Sequence, residues 1–230
     1  MRLIIPSVLI LLLSACSLPY IQELVSESPA HIASSAVAIM GTYAGSPVFV
    51  GSGTYVRTES SYAVLTATHV ILDTLAPMYA CHDDVTVVED LGTCTALDLT
   101  TRVNSSEGWD VTLVPVSEPF AEQGFLPTVI SMYDWSIGEP IWITGYPDGI
   151  FNIYLDVISA CDSPRACRTA APTYWGSSGG GIFNYQGKLV GVMTGMYTAN
   201  HPISGHGIVP GSRTFTLIPE TIATATVITE

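Results

Sequence analysis

The feature that most constrains the fold is a succession of short apolar stretches, rich in β-branched residues and broken by glycine, proline and serine. The first series reads Ala36–Thr42, Val48–Arg57, Ala63–Ala67, Val85–Glu89, Thr95–Val103 and Val111–Val116. Pro115 and Pro119 lead into a non-periodic connection around Phe120–Thr128. A second series follows: Pro140–Gly145, Asn152–Ser159, Gly181–Asn184, Leu189–Thr194 and Thr214–Ile218. Stretches of this length and composition predict strands; only Thr68–Leu72 and the tail from Pro219 carry helical character. About six strands on each side of a mid-chain linker predict an all-β chain of two six-stranded antiparallel β-barrels, about 35–118 and 131–218, with a cleft between them. A single β-sandwich would give a similar strand list, so periodicity alone leaves both open. With 230 residues, 48% hydrophobic and 12% charged, the chain can bury a sizeable core and is not disordered by composition.

Charge narrows the partners. Twenty Asp and Glu against seven Lys and Arg give a formal net charge of −13, with no basic cluster or stripe, so nucleic acid is not an expected partner. Nothing in the sequence calls for a cofactor. Residues 1–15 read as a secretory leader, with Arg2 as a minimal basic head before the apolar run Leu3–Leu13. That run is shorter than the roughly 20 residues a membrane-spanning helix needs. Leu13-Ser14-Ala15-Cys16 resembles the lipobox of bacterial lipoproteins, which implies cleavage after Ala15 and a lipid on the Cys16 sulfur. The other reading is an ordinary signal peptide with an incidental cysteine. Under the first, residues 16–34 are a tether and the membrane is a partner through Cys16. Ser17, rather than Asp, then points to the periplasmic face of an outer membrane; under the second the protein is secreted. The remaining cysteines fall into two local pairs, Cys81 with Cys94 and Cys161 with Cys167, each bracketing a plausible hairpin. In an oxidising compartment local disulfides are the favoured pairing of the three possible. A zinc site is the weaker reading, since CxxC spacing and a clear histidine partner are missing, and no metal is expected.

Three segments carry the chemistry. Trp175-Gly176-Ser177-Ser178-Gly179-Gly180-Gly181 places four glycines around one serine. Glycine in a folded β protein costs conformational entropy, so such a cluster points to unusual dihedrals or close backbone approach. Acyl-bond hydrolysis needs both, to expose a hydroxyl and to converge N–H groups on an oxyanion; a glycine-rich hairpin is the plain alternative. Val64-Leu65-Thr66-Ala67-Thr68-His69-Val70 ends a strand in a histidine, a usual base for a serine hydroxyl near neutral pH. Alone, that histidine would read as structural. Trp109-Asp110-Val111-Thr112-Leu113-Val114 puts an aspartate at the head of an apolar strand, where it could orient the imidazole or merely start the strand.

In the order His, Asp, Ser these segments resemble the trypsin-like serine proteases, nearest to bacterial protease domains of the HtrA type. Gly51-Ser52-Gly53-Thr54 is similar to the family's GSGF strand and Thr66-Ala67-Thr68-His69-Val70 to its TAAHV motif. Asp110-Val111-Thr112-Leu113-Val114 resembles its DLALL strand, Gly145-Tyr146-Pro147 its GyP turn, and Gly176-Ser177-Ser178-Gly179-Gly180 its GxSGG motif. The resemblance spans about residues 36–218. It implies a chymotrypsin-like double barrel and a serine endopeptidase acting on polypeptides, with Ser178 as nucleophile, His69 as base and Asp110 as its orienting acid. Asp98 is the reserve acid. Gly176 and Ser178 N–H groups would form the oxyanion hole. Pro172, Thr173 and Met193-Thr194-Gly195-Met196 would line the substrate site; none is acidic, which favours an apolar or small residue before the scissile bond over Arg or Lys. Ser177 stands where members activated by cleavage carry an aspartate that pairs with a new N-terminus, so no such activation is expected. The residues from Pro219 onward are too few for a PDZ domain. A catalytically inactive trypsin-fold lipoprotein serving as a binding module is the alternative function, and an unrelated structural sandwich a third.

Overall fold

The structure, a computed structural model, describes residues 29–58, 61–82, 91, 94–116, 128, 130, 135–171, 173–201 and 205–224. It is all-β, built from two curled antiparallel sheets of seven strands each, one more per sheet than expected. The first holds β1 (Ala36–Tyr43), β2 (Ser46–Arg57), β3 (Tyr62–Thr66), β4 (Tyr79–Cys81), β5 (Cys94–Ala96), β6 (Val103–Asn104) and β7 (Thr112–Pro115), in the order β5-β4-β1-β2-β3-β7-β6. A bridge between Leu97 and Val116, with Asp98 N–H donating to the Pro115 carbonyl at 2.8 Å, draws the two sides of this sheet together.

The second sheet holds β8 (Pro140–Gly145), β9 (Asn152–Val157), β10 (Ala160–Cys161), β11 (Ala166–Thr169), β12 (Gly181–Asn184), β13 (Leu189–His201) and β14 (Gly205–Leu217). Its order is β10-β11-β14-β13-β12-β8-β9. β9 lies beside β8, yet the chain that leaves it reaches β11 at once, where Ser159 N–H meets the Arg168 carbonyl at 2.8 Å. The sheet therefore curls back on itself. This is the two-barrel architecture of the chymotrypsin-like fold.

The packing follows from the apolar alternation. In β1, Val37 and Ile39 point into the first barrel with Tyr55, Leu65 and Val114. Ala36, Ala38 and Met40 point the other way and meet Tyr146, from the end of β8. A strand apolar on both faces thus serves as a barrel wall and as the inter-barrel contact, and the small alanines leave room for the tyrosine ring. The second barrel fills with Ile141, Ile143, Ile182, Val190, Phe215 and Leu217.

Several boundaries differ from the sequence reading. A six-residue helix, Pro29–Ser34, lies inside the stretch read as tether, and its Ile32 is fully buried in the first barrel's core. The helix Glu220–Thr224 packs Ile222 and Ala223 into the same core, so part of the expected tail belongs to the domain. Thr95–Val103 is not one strand: the Asp98 carboxylate accepts from the Thr100 amide at 3.0 Å and from the hydroxyls of Thr100 and Thr101, turning the chain. β4, β10 and β11 lie outside the expected strands, and β13 and β14 run well beyond the expected Leu189–Thr194 and Thr214–Ile218. Thr68–Val70 is a single 3₁₀ turn. Val85–Glu89 lies outside the described residues. Both disulfides are local, Cys81–Cys94 and Cys161–Cys167, each joining residues paired directly across antiparallel strands.

Candidate active site

Strand register brings His69 and Asp110 together. β3 and β7 are antiparallel neighbours with Thr66 opposite Thr112, so the exit of β3 lies beside the entry of β7. His69 is three residues past the first position and Asp110 two before the second. The contact is two-fold: His69 Nδ1 lies 2.6 Å from Asp110 Oδ2, and the His69 amide donates to Asp110 Oδ1 at 3.0 Å. Both carboxylate oxygens are thereby engaged by one residue, which fixes the ring and leaves Nε2 for other work. The hydrogen bond to Asp110 is the main cause that raises the His69 pKa above 6.5, against a smaller lowering by burial. Asp98, the reserve acid, is spent on its own turn; the hydroxyl of Thr100 is the first cause of its lowered pKa.

Ser178 belongs to the second barrel, and a seam with β2 sets its position. The Ser52 amide donates to the Ser178 carbonyl at 2.8 Å. A side chain on Gly51 would meet that carbonyl oxygen and both Val70 methyls at 3.0 Å. Gly51 thus packs closely against both the Ser178 backbone and Val70, the neighbour of His69. On the other side, Gly179 N–H donates to the Met193 carbonyl at 2.7 Å and Met193 N–H to the Gly180 carbonyl at 2.8 Å. Gly179 explains one of the clustered glycines: its φ is +89°, and an added Cβ would fall 1.9 Å from the Ser52 carbonyl oxygen and 2.1 Å from Thr66 Oγ1. Ser178 itself is partly exposed.

Around Ser178 the peptide carbonyls are tied back. The Trp175 carbonyl accepts from the Asp148 amide at 2.8 Å and the Ser177 carbonyl from the Gly180 amide at 3.0 Å. In a trans peptide the N–H opposes the carbonyl, so the Gly176 and Ser178 N–H groups face away from these bonds. Among the described residues no hydrogen bond takes up either N–H. Ser177, at the place of the activation aspartate, is buried and accepts from the Tyr174 amide at 3.3 Å.

Of the expected substrate residues, Thr173 and Met193 are buried, and Thr194 Oγ1 lies 3.3 Å from Thr216 Oγ1. Gly195 and Met196 pair with Thr214 and Arg213 of β14, while the pairing of β12 with β13 ends at Val192. Pro172 and Cys16 lie outside the described residues. Trp175, 79% exposed beside the serine turn, was not singled out from sequence. Neither were Ser52 and Asp148, whose contacts to this turn join distant parts of the chain. Among the described residues no three His, Cys, Asp or Glu side chains gather as a metal site.

Known structures share the fold at low identity. HtrA-type protease AlgW, solved with a decapeptide, superposes with a TM-score of 0.61 at 16% identity over 86% of this chain and 66% of that one. A thermostable serine protease, AL20, from an extremophilic microorganism gives 0.63 at 14% identity, covering 85% of this chain and 98% of its own. The serine endoprotease from Yersinia pestis gives 0.57 at 20% identity, with 81% of this chain and 63% of that one covered. This chain thus spans a little under two thirds of the AlgW and Yersinia chains. No curated protein matches the sequence significantly. With the two barrels and the order His, Asp, Ser goes a match of residues 51–192 to the trypsin-like peptidase domain, and the chain belongs to that family.

Proposed function

We propose that the protein is a serine endopeptidase that hydrolyses polypeptides through an acyl-enzyme, with Ser178 as nucleophile, His69 as general base and Asp110 as the acid that orients it. The observation that carries this reading is the two-fold contact of Asp110 with His69, 2.6 Å to Nδ1 and 3.0 Å to the amide. With Nδ1 engaged by the carboxylate, Nε2 is the ring atom left to take the proton of the Ser178 hydroxyl; among the described residues no hydrogen bond yet joins His69 to Ser178. His69 takes that proton as Oγ bonds to the scissile carbonyl carbon, then returns it to the leaving amine; water deacylates the enzyme by the same route. Gly176 and Ser178 N–H groups receive the oxyanion, and removing one such donor costs about 10²–10³ in kcat in comparable enzymes.

The substrate runs along β13 beyond Val192, where its backbone can add to the strand from Thr194 to Met196. Thr173 and Met193 are uncharged, which favours an apolar or small residue before the scissile bond. A fluorophosphonate probe on the purified domain tests the reading: labelling at Ser178, absent in Ser178→Ala, is expected. A folded wild type that resists the probe would overturn the protease reading.

We also propose an envelope tether through a lipid on Cys16, supported by Leu13-Ser14-Ala15-Cys16. Among the described residues no helix is long and apolar enough to cross a membrane. In Cys16→Ser the protein should leave the detergent phase, and unchanged partitioning would count against the lipid.

A further inference from the structure

A buried hydroxyl outside the three reacting residues lies at the centre of this site. Ser52 has no exposed surface, and its Oγ donates to the Gly176 carbonyl at 2.6 Å while accepting from the Tyr146 amide at 2.8 Å. Its own amide holds the Ser178 carbonyl at 2.8 Å. One residue of β2 therefore binds the serine turn at two points and the end of β8 at a third. Tyr146 opens the turn Pro147–Gly149, whose Asp148 has a left-handed φ of +53° and directs its amide to the Trp175 carbonyl at 2.8 Å. Both carbonyls flanking the Trp175–Gly176–Ser177 peptides are thus held by groups outside the turn. Gly176 needs that support: its φ is +92°, a region in which glycine is mobile, and its peptide planes set where its N–H points.

We infer that the Ser52 hydroxyl is a positioning residue for the oxyanion hole: by bonding the Gly176 carbonyl it fixes the Gly176–Ser177 peptide, the link between the two peptides that carry the Gly176 and Ser178 N–H groups, so that these converge without a cleavage-generated ion pair. The inference rests on the acyl-transfer reading above and deepens it. Among the described residues the hydrogen bonds of Ser177, where activated relatives place the aspartate, stay within the turn and supply no such anchor. Ser52 does, because its partners lie on β2, β8 and the serine turn at once. Its hydroxyl hydrogen is donated to one of these partners and one of its two lone pairs accepts from another.

The test compares Ser52→Ala with the wild type. A peptide boronic acid, whose tetrahedral adduct places an oxygen in the hole, measures the hole; KM for the matching peptide measures substrate binding. Hydrogen exchange over residues 174–181 measures the turn. The expected result is a loss of about 10–100-fold in kcat and in boronate affinity together, KM within about two-fold, and faster exchange in the turn. Ser52→Cys, similar in size with a weak S–H donor, should fall between the two and covers the case that alanine prevents folding. Val190→Ala, a cavity in the second barrel's core, controls for general loosening: it should lower the melting temperature and leave boronate affinity intact. Wild-type boronate affinity in Ser52→Ala overturns the inference, as does a drop matched by Val190→Ala at equal stability. A wild type that binds no boronate and resists fluorophosphonate defeats the protease reading instead. Exchange in the turn then decides the role of Ser52, and unchanged exchange in Ser52→Ala overturns it.

Discussion

His69 and Asp110 are carried by one barrel, on the ends of two strands that are neighbours in its sheet, and they bond to each other directly. Ser178 sits on a turn of the other barrel that depends on β2 of the first for its fastening. The first pair is set by register, a property of about ten residues in two adjoining strands. The serine turn is set by backbone contacts from three directions and tolerates almost no added volume. A register defect would misplace the base within an intact barrel, whereas a packing defect at the seam would disturb both barrels.

The largest expected effect breaks the serine side alone. Ser178→Ala should lower kcat by about 10⁶-fold while the melting temperature stays close to wild type, as read by single-turnover kinetics and calorimetry. Breaking the register-set side should cost less: Asp110→Asn is expected to lose about 10⁴-fold in kcat, since the imidazole loses the partner that selects its tautomer. The pH profile sharpens this point. The base must be neutral, and Asp110 raises the His69 pKa above 6.5, so kcat/KM should fall as pH drops through a midpoint above 6.5. In Asp110→Asn that midpoint should move down; a midpoint that stays put would separate the aspartate from the titration.

Gly179→Ala probes the seam through stability. Its Cβ would lie 1.9 Å from a backbone oxygen at a φ of +89°, and a loss on the order of 3 kcal/mol or more is expected in chemical denaturation. Full stability would mean that the turn can move away from β2. The smallest effects come from the disulfides, one per barrel. Replacing both cysteines by serine should cost about 3 kcal/mol for Cys81–Cys94, separation 13, and about 2 kcal/mol for Cys161–Cys167, separation 6.

Local chemistry was legible in the sequence where local chemistry decides the structure. β8 and β12 fall where short apolar runs between turn residues place them, and His69 and Asp110 sit at strand ends as their flanking residues suggest. Asp110 read as the acid from its flanking residues with Asp98 in reserve; the β3–β7 register sets Asp110 against His69, and Asp98 is engaged by Thr100 and Thr101. β11, with its Ala-Cys-Arg-Thr, has too little apolar pattern to read as a strand; its partner β14 makes it one. Ser52 was visible only as part of a glycine-flanked motif, because its hydroxyl bonds a carbonyl 124 positions away. No window of sequence contains that contact. The strand Thr95–Val103 failed for the opposite reason, since Asp98 and the threonines after it form a turn that overrides β-propensity.

Gly51 has one further consequence. Its missing side chain works as a shim of zero width: Val70 and the Ser178 carbonyl both stand 3.0 Å from where a Cβ would be. A single methyl there would require Val70 and the Ser178 carbonyl to give by a few tenths of an ångström. Val70 adjoins His69 in the chain, so in the proposed mechanism such a shift falls between the residues that exchange the proton. Clearance at this one position of β2 thus joins the hydrogen bonds of Ser52 in fixing how the serine turn meets the first barrel.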